Sequence, residues 1–169
     1  MQFTFCPDCG GRLIKKSIGD EGEIPFCESC GCPWFSFSYP CVICLLTDGA
    51  GNYALIRQTY ATKNYVCVAG FIKEQETAEQ TAAREICEET GLEVLNMRYV
   101  GSYYYPKHDN LMLGYLCTVK RGEFRLSGEV ERAGWFGLEE TRELLSHGTV
   151  GKELLRDSLK QGTQKGWFI

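Results

Sequence analysis

The sequence lacks a long hydrophobic run, and it also lacks an export signal. No stretch approaches the roughly 18 consecutive apolar residues that a membrane span requires, so a membrane-spanning protein is not expected. The N-terminal segment MQFTFCPDCGG has neither the basic start nor the apolar run of a signal peptide. We therefore expect a cytoplasmic protein that has no membrane partner.

The sequence also has no excess of basic residues over acidic ones. The chain has 18 Lys and Arg residues against 22 Asp and Glu, a net charge of −4. This charge argues against a protein that grips nucleic acid through its phosphates alone. An acidic protein that handles phosphates needs metal ions or a local basic patch. No internal repeat or low-complexity tract is present, and 169 residues suffice for one sizeable core with a small appendage.

Cysteine is abundant, with ten residues in the chain. Without an export signal, thiols and metal ligands are expected rather than disulfides. Two Cys-x-x-Cys-Gly turns, at Cys6 and Cys9 and at Cys27 and Cys30, have the spacing of a closed tetrahedral zinc site. The alternatives are four free cysteines or a redox pair. We predict a structural zinc ribbon over 1–36, folded by its metal, followed by a second domain over 37–169.

The remaining pattern predicts hairpins interspersed with helices. Residues 41–47 and 53–58 form a candidate hairpin around an Asp-Gly-Ala-Gly turn, and 97–105 and 111–119 are further strands. Residues 77–90 read as a helix that Gly91 ends, and 138–146 and 150–161 as two more. Cys41, Cys44, Cys67 and Cys117 fall in apolar runs and are expected in the core. This mixture favours a layered α/β domain.

Three carboxylates share one face of the first predicted helix. Glu85, Glu88 and Glu89 stand at positions i, i+3 and i+4, and no lysine is interspersed among them. Converging carboxylates are the ligands that Mg²⁺ and Mn²⁺ require. An ordinary acidic surface explains the same three residues equally well. The helix alone does not choose between these two interpretations.

The surrounding residues resemble the signature of the Nudix hydrolases. Gly70, Glu76 and the run Arg84-Glu85-Ile86-x-Glu88-Glu89-x-Gly91-Leu92 fill every position of that signature. The resemblance implies an α/β/α sandwich with a mixed sheet and hydrolysis of a nucleoside diphosphate linked to another group. It also implies that the three glutamates and the Gly70 carbonyl ligate Mg²⁺ or Mn²⁺, and that Glu76 pairs with Arg84. Either Glu89 or a downstream carboxylate would be the base.

The order of parts resembles one branch of this family, the NADH pyrophosphatases. That branch has a four-cysteine ribbon, an aromatic connector and then a Nudix domain. The segment Gly128 to Phe136 looks like its acidic loop, which would make Glu129 a downstream metal ligand, with Glu131 as the fallback. A solvated turn is the alternative for Glu129. The implied substrates are small nucleotides such as NADH, NAD⁺, FAD and ADP-ribose, and a homodimer is implied as well.

Aromatic residues are candidates for binding a base. Tyr103 and Tyr105 would share one strand face on which a base could stack, and Phe35 in the connector could clamp one. Core packing is the alternative for all three. Nucleic acid is expected only as a capped-RNA substrate. The competing interpretation of the whole chain is a nucleotide-sensing module whose ribbon contacts RNA or protein.

Overall fold

A computed structural model describes residues 3–60, 63–147 and 149–163. It divides the chain into two compact units, Met1–Tyr39 and Pro40–Ile169. Compactness alone does not show that either unit folds independently. The two domains with a boundary at 36/37 therefore remain a prediction.

The N-terminal unit is a small antiparallel sheet with almost no buried side chains. Its three strands, in the order β1-β2-β3, are β1 (Ile14–Ser17), β2 (Glu23–Cys27) and β3 (Cys32–Pro33). Among the described residues of this unit, only Cys6 and Cys27 are buried. The rings of Phe3 and Trp34 pack edge to face at 5.4 Å, with Phe37 beside them. These few contacts do not amount to a hydrophobic core.

The C-terminal unit is built on a six-stranded mixed sheet with helices, which confirms the predicted α/β class. The strand order is β7-β8-β4-β5-β9, and β6 pairs with β4 outside this path. The strands are β4 (Tyr39–Thr47), β5 (Asn52–Gln58), β6 (Val68–Phe71), β7 (Val94–Tyr105), β8 (Asn110–Val119) and β9 (Val130–Gly137). The helices are α1 (Ala78–Thr90), α2 (Leu138–Leu144) and α3 (Thr149–Thr163), with a 3-10 turn at Leu145–His147. No described helix is long and apolar enough to cross a membrane.

Strand β4 lies between two hydrophobic cores. Successive side chains of a strand point to opposite faces of the sheet. Val42, Cys44 and Leu46 therefore join one core, together with Ala82 and Ile86 of α1. The β4 residues that alternate with them, Cys41, Ile43 and Leu45, join the other core, together with Leu154 and Leu155 of α3. The burial predicted for Cys41, Cys44, Cys67 and Cys117 is confirmed.

Helix α1 ends where the sequence predicts and begins one residue later than predicted. Thr77 caps it, accepting a hydrogen bond from the Gln80 amide while the Gln80 side chain accepts one from the Thr77 amide. Gly91 ends it in the left-handed conformation, with φ of 70°. The helix buries Ala82 and Ile86 against the sheet. Ala83, the residue that follows Ala82, is exposed.

Candidate active site

An ion pair ties the loop before α1 to the helix itself. The Arg84 guanidinium donates to both carboxylate oxygens of Glu76, with Nε–Oε1 and Nη2–Oε2 distances of 2.8 and 2.9 Å. Thr81 donates to the same carboxylate at 2.8 Å. These hydrogen bonds, above all those from Arg84, lower the pKa of Glu76 to about 2. A two-pronged contact of this kind fixes direction as well as distance, so the loop is held in one position on the helix.

The same guanidinium also reaches two of the helix glutamates. Arg84 Nη1 lies 2.6 Å from Glu85 Oε1 and 3.1 Å from Glu88 Oε2. Its Nη2 donates to the carbonyl of Phe71, the residue that ends β6. One cation therefore binds three carboxylates and one backbone carbonyl beside the middle of the helix. It lessens the repulsion that Glu85 and Glu88 would otherwise exert on each other.

Glu85 packs directly against the backbone of Gly70. A Cβ atom placed on Gly70 would overlap the carboxylate group of Glu85. Gly70 has an ordinary negative φ, so the absence of a side chain serves this close approach and not an unusual backbone conformation. Any larger residue at position 70 would displace Glu85. The structure thus places Glu85 against Gly70, two residues that the family resemblance implies as ligands of one ion.

Glu89 is the buried member of the acidic set. It is only 4% exposed, and among the described residues its Oε2 atom has no hydrogen-bond partner. Burial, with repulsion from Glu85 and Glu129, raises the pKa of Glu89 to about 8. A buried carboxylate with a free oxygen is costly for folding. It is the donor expected where a cation is to be bound.

Glu129 lies near this buried carboxylate, in the exposed turn just before β9. Its negative charge adds to burial in raising the pKa of both Glu89 and Tyr60. Its backbone carbonyl accepts a hydrogen bond of 2.9 Å from the Thr59 amide. Glu131, the fallback, pairs instead with Arg57 at 2.6 Å. The placement favours Glu129 over Glu131 as the downstream carboxylate.

The predicted base-binding aromatics are placed differently from one another. Tyr103 is 8% exposed, belongs to the core against α3 and donates to Asp157 at 3.4 Å, which is the position of a core residue. Tyr105 is half-buried on the same face and lines a cavity. Phe35 belongs to the N-terminal unit and is 49% exposed. Of the three, Tyr105 is best placed to meet a ligand in the C-terminal unit.

The cavity lined by Tyr105 has a volume of about 340 Å³. Sequence reasoning missed two residues of its lining. Gln58, at the end of β5, lines the cavity, and its side-chain amide partly offsets the rise in the pKa of Glu89. Asn110 is 9% exposed, and within the described part of the chain its Oδ1 atom lacks a partner. Neither residue stands in a motif, because both reach the site through strand pairing over long sequence separations.

The four cysteines of the N-terminal unit form a second cluster. Their Sγ atoms all lie within 4.8 Å of one another, and the set could hold a metal ion. Each Cys-x-x-Cys turn closes through a 2.8 Å hydrogen bond, from Gly10 to the Cys6 carbonyl and from Gly31 to the Cys27 carbonyl. Both glycines have positive φ, 73° and 69°, which the turn requires. In the described ranges, this is the one group of three or more metal-ligating side chains that converges so closely.

Comparisons with known proteins agree with this arrangement. The NUDIX domain family model matches residues 38–157. The chain is 30% identical to the NAD-capped RNA hydrolase NudC of Vibrio cholerae over 158 residues, which are 93% of this chain and 58% of that protein. It is 31% identical to NudC of Pseudomonas aeruginosa over 152 residues, 89% of this chain and 54% of that one. The chain thus spans little more than half the length of these relatives.

Solved structures share the fold at lower sequence identity. A NUDIX hydrolase from Nitrosomonas europaea superposes with a TM-score of 0.77 at 21% identity, covering 96% of this chain and 94% of that one. The NUDIX domain of Shewanella oneidensis NrtR, complexed with ADP ribose, gives a TM-score of 0.65 at 15% identity, covering 75% and 90%. The resemblance predicted from the signature residues is confirmed. The chain belongs to the NUDIX domain family.

Proposed function

We propose that this chain is a metal-dependent pyrophosphohydrolase. Its substrate would be a nucleoside diphosphate linked to a second group, of the NAD, FAD or ADP-ribose type, and a product would be a nucleoside monophosphate. The observation that carries the proposal is Glu89, a buried carboxylate with an unpartnered oxygen beside Glu85 and Glu129. The names of the NudC relatives, which act on NAD-capped RNA, support an NAD-type substrate.

The residues present fit a divalent cation. Glu85, Glu88, Glu89, Glu129 and the Gly70 carbonyl would hold Mg²⁺ or Mn²⁺, since both ions prefer oxygen ligands. Packing does not explain why Glu89 is buried without a partner. A divalent ion bound there would neutralise the pyrophosphate and lower the pKa of a bound water.

The protein's own contribution is to hold these oxygens in place before substrate arrives. Arg84 and Glu76 fix the loop on the helix, and Gly70 lets Glu85 approach the backbone of β6. Preorganised charge of this kind needs no rearrangement during the reaction. Glu89 and Glu129 are the two carboxylates open for the role of general base.

The cavity lined by Tyr105 and Asn110 is a suitable place for a base of the substrate. Its walls include the rings of Tyr65 and Tyr105, on which a planar base could stack. The free Oδ1 of Asn110 could accept a hydrogen bond from an amino group of that base. Gln58 lies in this wall and acts on the pKa of Glu89, so a base held here would bring its phosphates toward the acidic set.

Zinc is the metal we propose for the cysteine cluster. Four thiolates complete a tetrahedral site and leave no position for substrate, so the metal would have a structural role. Thiolate ligands favour Zn²⁺ over Mg²⁺ or Mn²⁺, which prefer oxygen. The protein would then carry two kinds of metal site with different purposes.

A substrate panel tests the proposed reaction. NADH, NAD⁺, FAD, ADP-ribose and CoA are incubated with Mg²⁺ or Mn²⁺, and phosphate is measured after a coupled phosphatase releases it from the products. Glu88→Gln and Glu89→Gln should lose activity while their circular dichroism spectra stay unchanged. Glu93→Gln, at an exposed glutamate paired with Lys120, is the matched control and should keep activity. Normal turnover by both helix variants would overturn the proposal.

The same panel separates hydrolysis from sensing. A nucleotide-sensing module would bind ADP-ribose or NAD⁺ tightly and cleave neither compound in either metal. Calorimetric titration of the substrates beside the activity assay distinguishes these two outcomes. The intact set of acidic residues favours the enzyme, because a sensor has no need of all of them.

A further inference from the structure

A groove lined mainly by basic side chains lies beside α3, and no member of the acidic set lines it. It has a volume of about 780 Å³ and runs between α2, the 3-10 turn and α3. One carboxylate, Glu153, is in the lining together with four cations, and these are Arg142, Lys152, Arg156 and Lys160. Although the whole chain has a net charge of −4, this groove is a concave site suited to a small anion.

Three of these cations form a row along α3. Lys152, Arg156 and Lys160 are spaced four residues apart, which places them on one face of the helix. The rise of a helix spreads this row over about 12 Å. Like charges at this spacing destabilise a helix, so helix formation does not explain the row. A ligand that neutralises the row needs several negative charges spread along a similar length.

Helix α3 also begins at one end of this groove. Ser146 and His147, which precede the helix, line the groove together with the three cations of the row. The positive end of a helix dipole favours a negative charge nearby. The helix dipole and the cationic side chains therefore attract an anion to the same place.

Three of the four cations form ion pairs that a ligand can displace. Arg142 pairs with Glu139 on its own helix at 2.9 Å. Asp157 pairs with both Arg156 and Lys160, at 2.9 and 3.8 Å. Each of these cations keeps more than half of its side chain exposed to solvent. Exposed pairs of this kind contribute at most about 1 kcal/mol, so a multiply charged anion can compete with the carboxylates.

Lys152 is the cation of the groove whose charge is not compensated. It is exposed, and it forms no ion pair with any residue that the structure describes. It is also the cation of the row that lies nearest to the start of α3. An anion that binds at Lys152 therefore gains a charge interaction without breaking an existing one.

We propose that this groove binds an oligophosphate, a chain of three or more linked phosphates, at a site separate from the acidic set. Guanidinium groups donate pairs of hydrogen bonds to phosphate oxygens, and ammonium groups attract them as point charges. A single phosphate is too short to reach cations spread over about 12 Å, whereas a chain contacts several of them at once. A nucleoside triphosphate and inorganic polyphosphate both supply such a chain. This binding is independent of the hydrolysis proposed above, because none of the acidic residues takes part.

Calorimetric titration with tripolyphosphate, ATP and AMP tests this binding. No Mg²⁺ or Mn²⁺ is added and no chelator is used, so the acidic set repels the probes while the metal of the cysteine cluster stays in place. Tripolyphosphate and ATP should bind, and AMP should bind at least about tenfold more weakly, because it reaches fewer cations. Equal affinities for tripolyphosphate and ATP would identify the phosphate chain alone as the ligand, and tighter binding of ATP would add a contact with the nucleoside. Absence of binding by both, or AMP binding as tightly as ATP, would overturn the proposal.

Charge changes at two neighbouring positions test where the chain binds. Lys152→Glu should weaken the affinity for tripolyphosphate about three- to tenfold, and Glu153→Lys should strengthen it by a similar factor. Lys120→Glu is the matched control, because it changes the net charge by the same amount at an exposed lysine outside the groove, and it should leave the affinity unchanged. An equal loss in Lys120→Glu, or unchanged affinity in both groove variants, would overturn the groove as the binding site. Since no catalytic metal is present, failure of the proposed hydrolysis would leave these results unaffected.

Discussion

The two units of this chain keep their folds by different means. In the described part of the N-terminal unit, the only buried residues are two cysteines, Cys6 and Cys27. The C-terminal unit buries apolar side chains on both faces of its sheet, with Leu45, Leu55 and Leu154 fully excluded from solvent. A unit of about 39 residues cannot bury enough apolar surface to fold alone. In the N-terminal unit, the cluster of four thiols therefore takes the structural role that the apolar core has in the C-terminal unit.

Among the changes predicted here, metal removal should have the largest effect, and it should affect only the N-terminal unit. Chelation, or Cys9→Ser, should unfold β1–β3, because metal binding supplies about 10 kcal/mol of folding free energy in sites of this kind. Hydrogen exchange followed by mass spectrometry should show loss of protection within 3–39 and unchanged protection in β4 and β5. Continued protection of the N-terminal strands without metal would mean that contacts other than the thiols hold the unit.

Truncating one apolar side chain in each unit tests how much apolar packing contributes to the free energy of unfolding of each. Leu154→Ala should lower the free energy of unfolding by about 2–5 kcal/mol, since Leu154 is 0% exposed in the core against α3. Ile14→Ala, at a strand residue that is 42% exposed, should change it by less than about 0.5 kcal/mol. Chemical denaturation with metal present measures both values. A loss at Ile14 as large as that at Leu154 would contradict the difference between the units.

In the C-terminal unit, adding one methyl group at Gly70 should lower the activity and leave the stability almost unchanged. Gly70→Ala would push Glu85 aside, and a displacement of about 1 Å at a catalytic group can lower the rate about 10²-fold. The melting temperature should change little, because Glu85 can rotate toward solvent. Steady-state kinetics and thermal denaturation of the same preparation test this. Full activity in Gly70→Ala would remove Gly70 from the proposed site.

The smallest predicted effect concerns the pH dependence of the ion pair between Arg84 and Glu76. The pKa of Glu76 is lowered from 4.5 to about 2 in the folded state, so the pair stabilises the fold above about pH 4.5. This stabilisation falls as the pH drops from about 4.5 toward 2. Wild type should therefore exceed Glu76→Gln in stability at pH 7, and the gap should close in acid. Urea denaturation at several pH values measures the gap, and a constant gap would contradict the assignment.

Local sequence signals predicted the parts of the fold that depend on neighbouring residues. Gly91 ends α1 in the structure as in the prediction, whereas Thr77, predicted as the first helical residue, is the N-cap, and both Cys-x-x-Cys-Gly turns close as expected. Each of these features arises within a few residues of chain. The pairing of Glu76 with Arg84 was implied by the family resemblance, and the structure contains it.

Features that depend on residues far apart in the chain were not predicted from the sequence. The sequence predicted neither the burial of Glu89 nor the effect on its pKa of Gln58, which stands 31 positions earlier in the chain. Tyr103 and Tyr105 were expected to act together, yet only Tyr105 lines the cavity, because α3 covers Tyr103 and Asp157 accepts its hydroxyl. Alternation along a strand predicts which residues share a face. It does not predict what lies over each of them.

The two-sided burial of β4 limits how the gene can change. Inserting or deleting one codon within 41–46 would exchange the residues that face α1 with those that face α3. Both cores would be mispacked by one event, which no single compensating substitution repairs. The neighbouring turn at Asp48–Gly51 is exposed beyond Asp48 and can absorb a change of length. Natural length variation in this region should therefore accumulate in the turn and spare the strand.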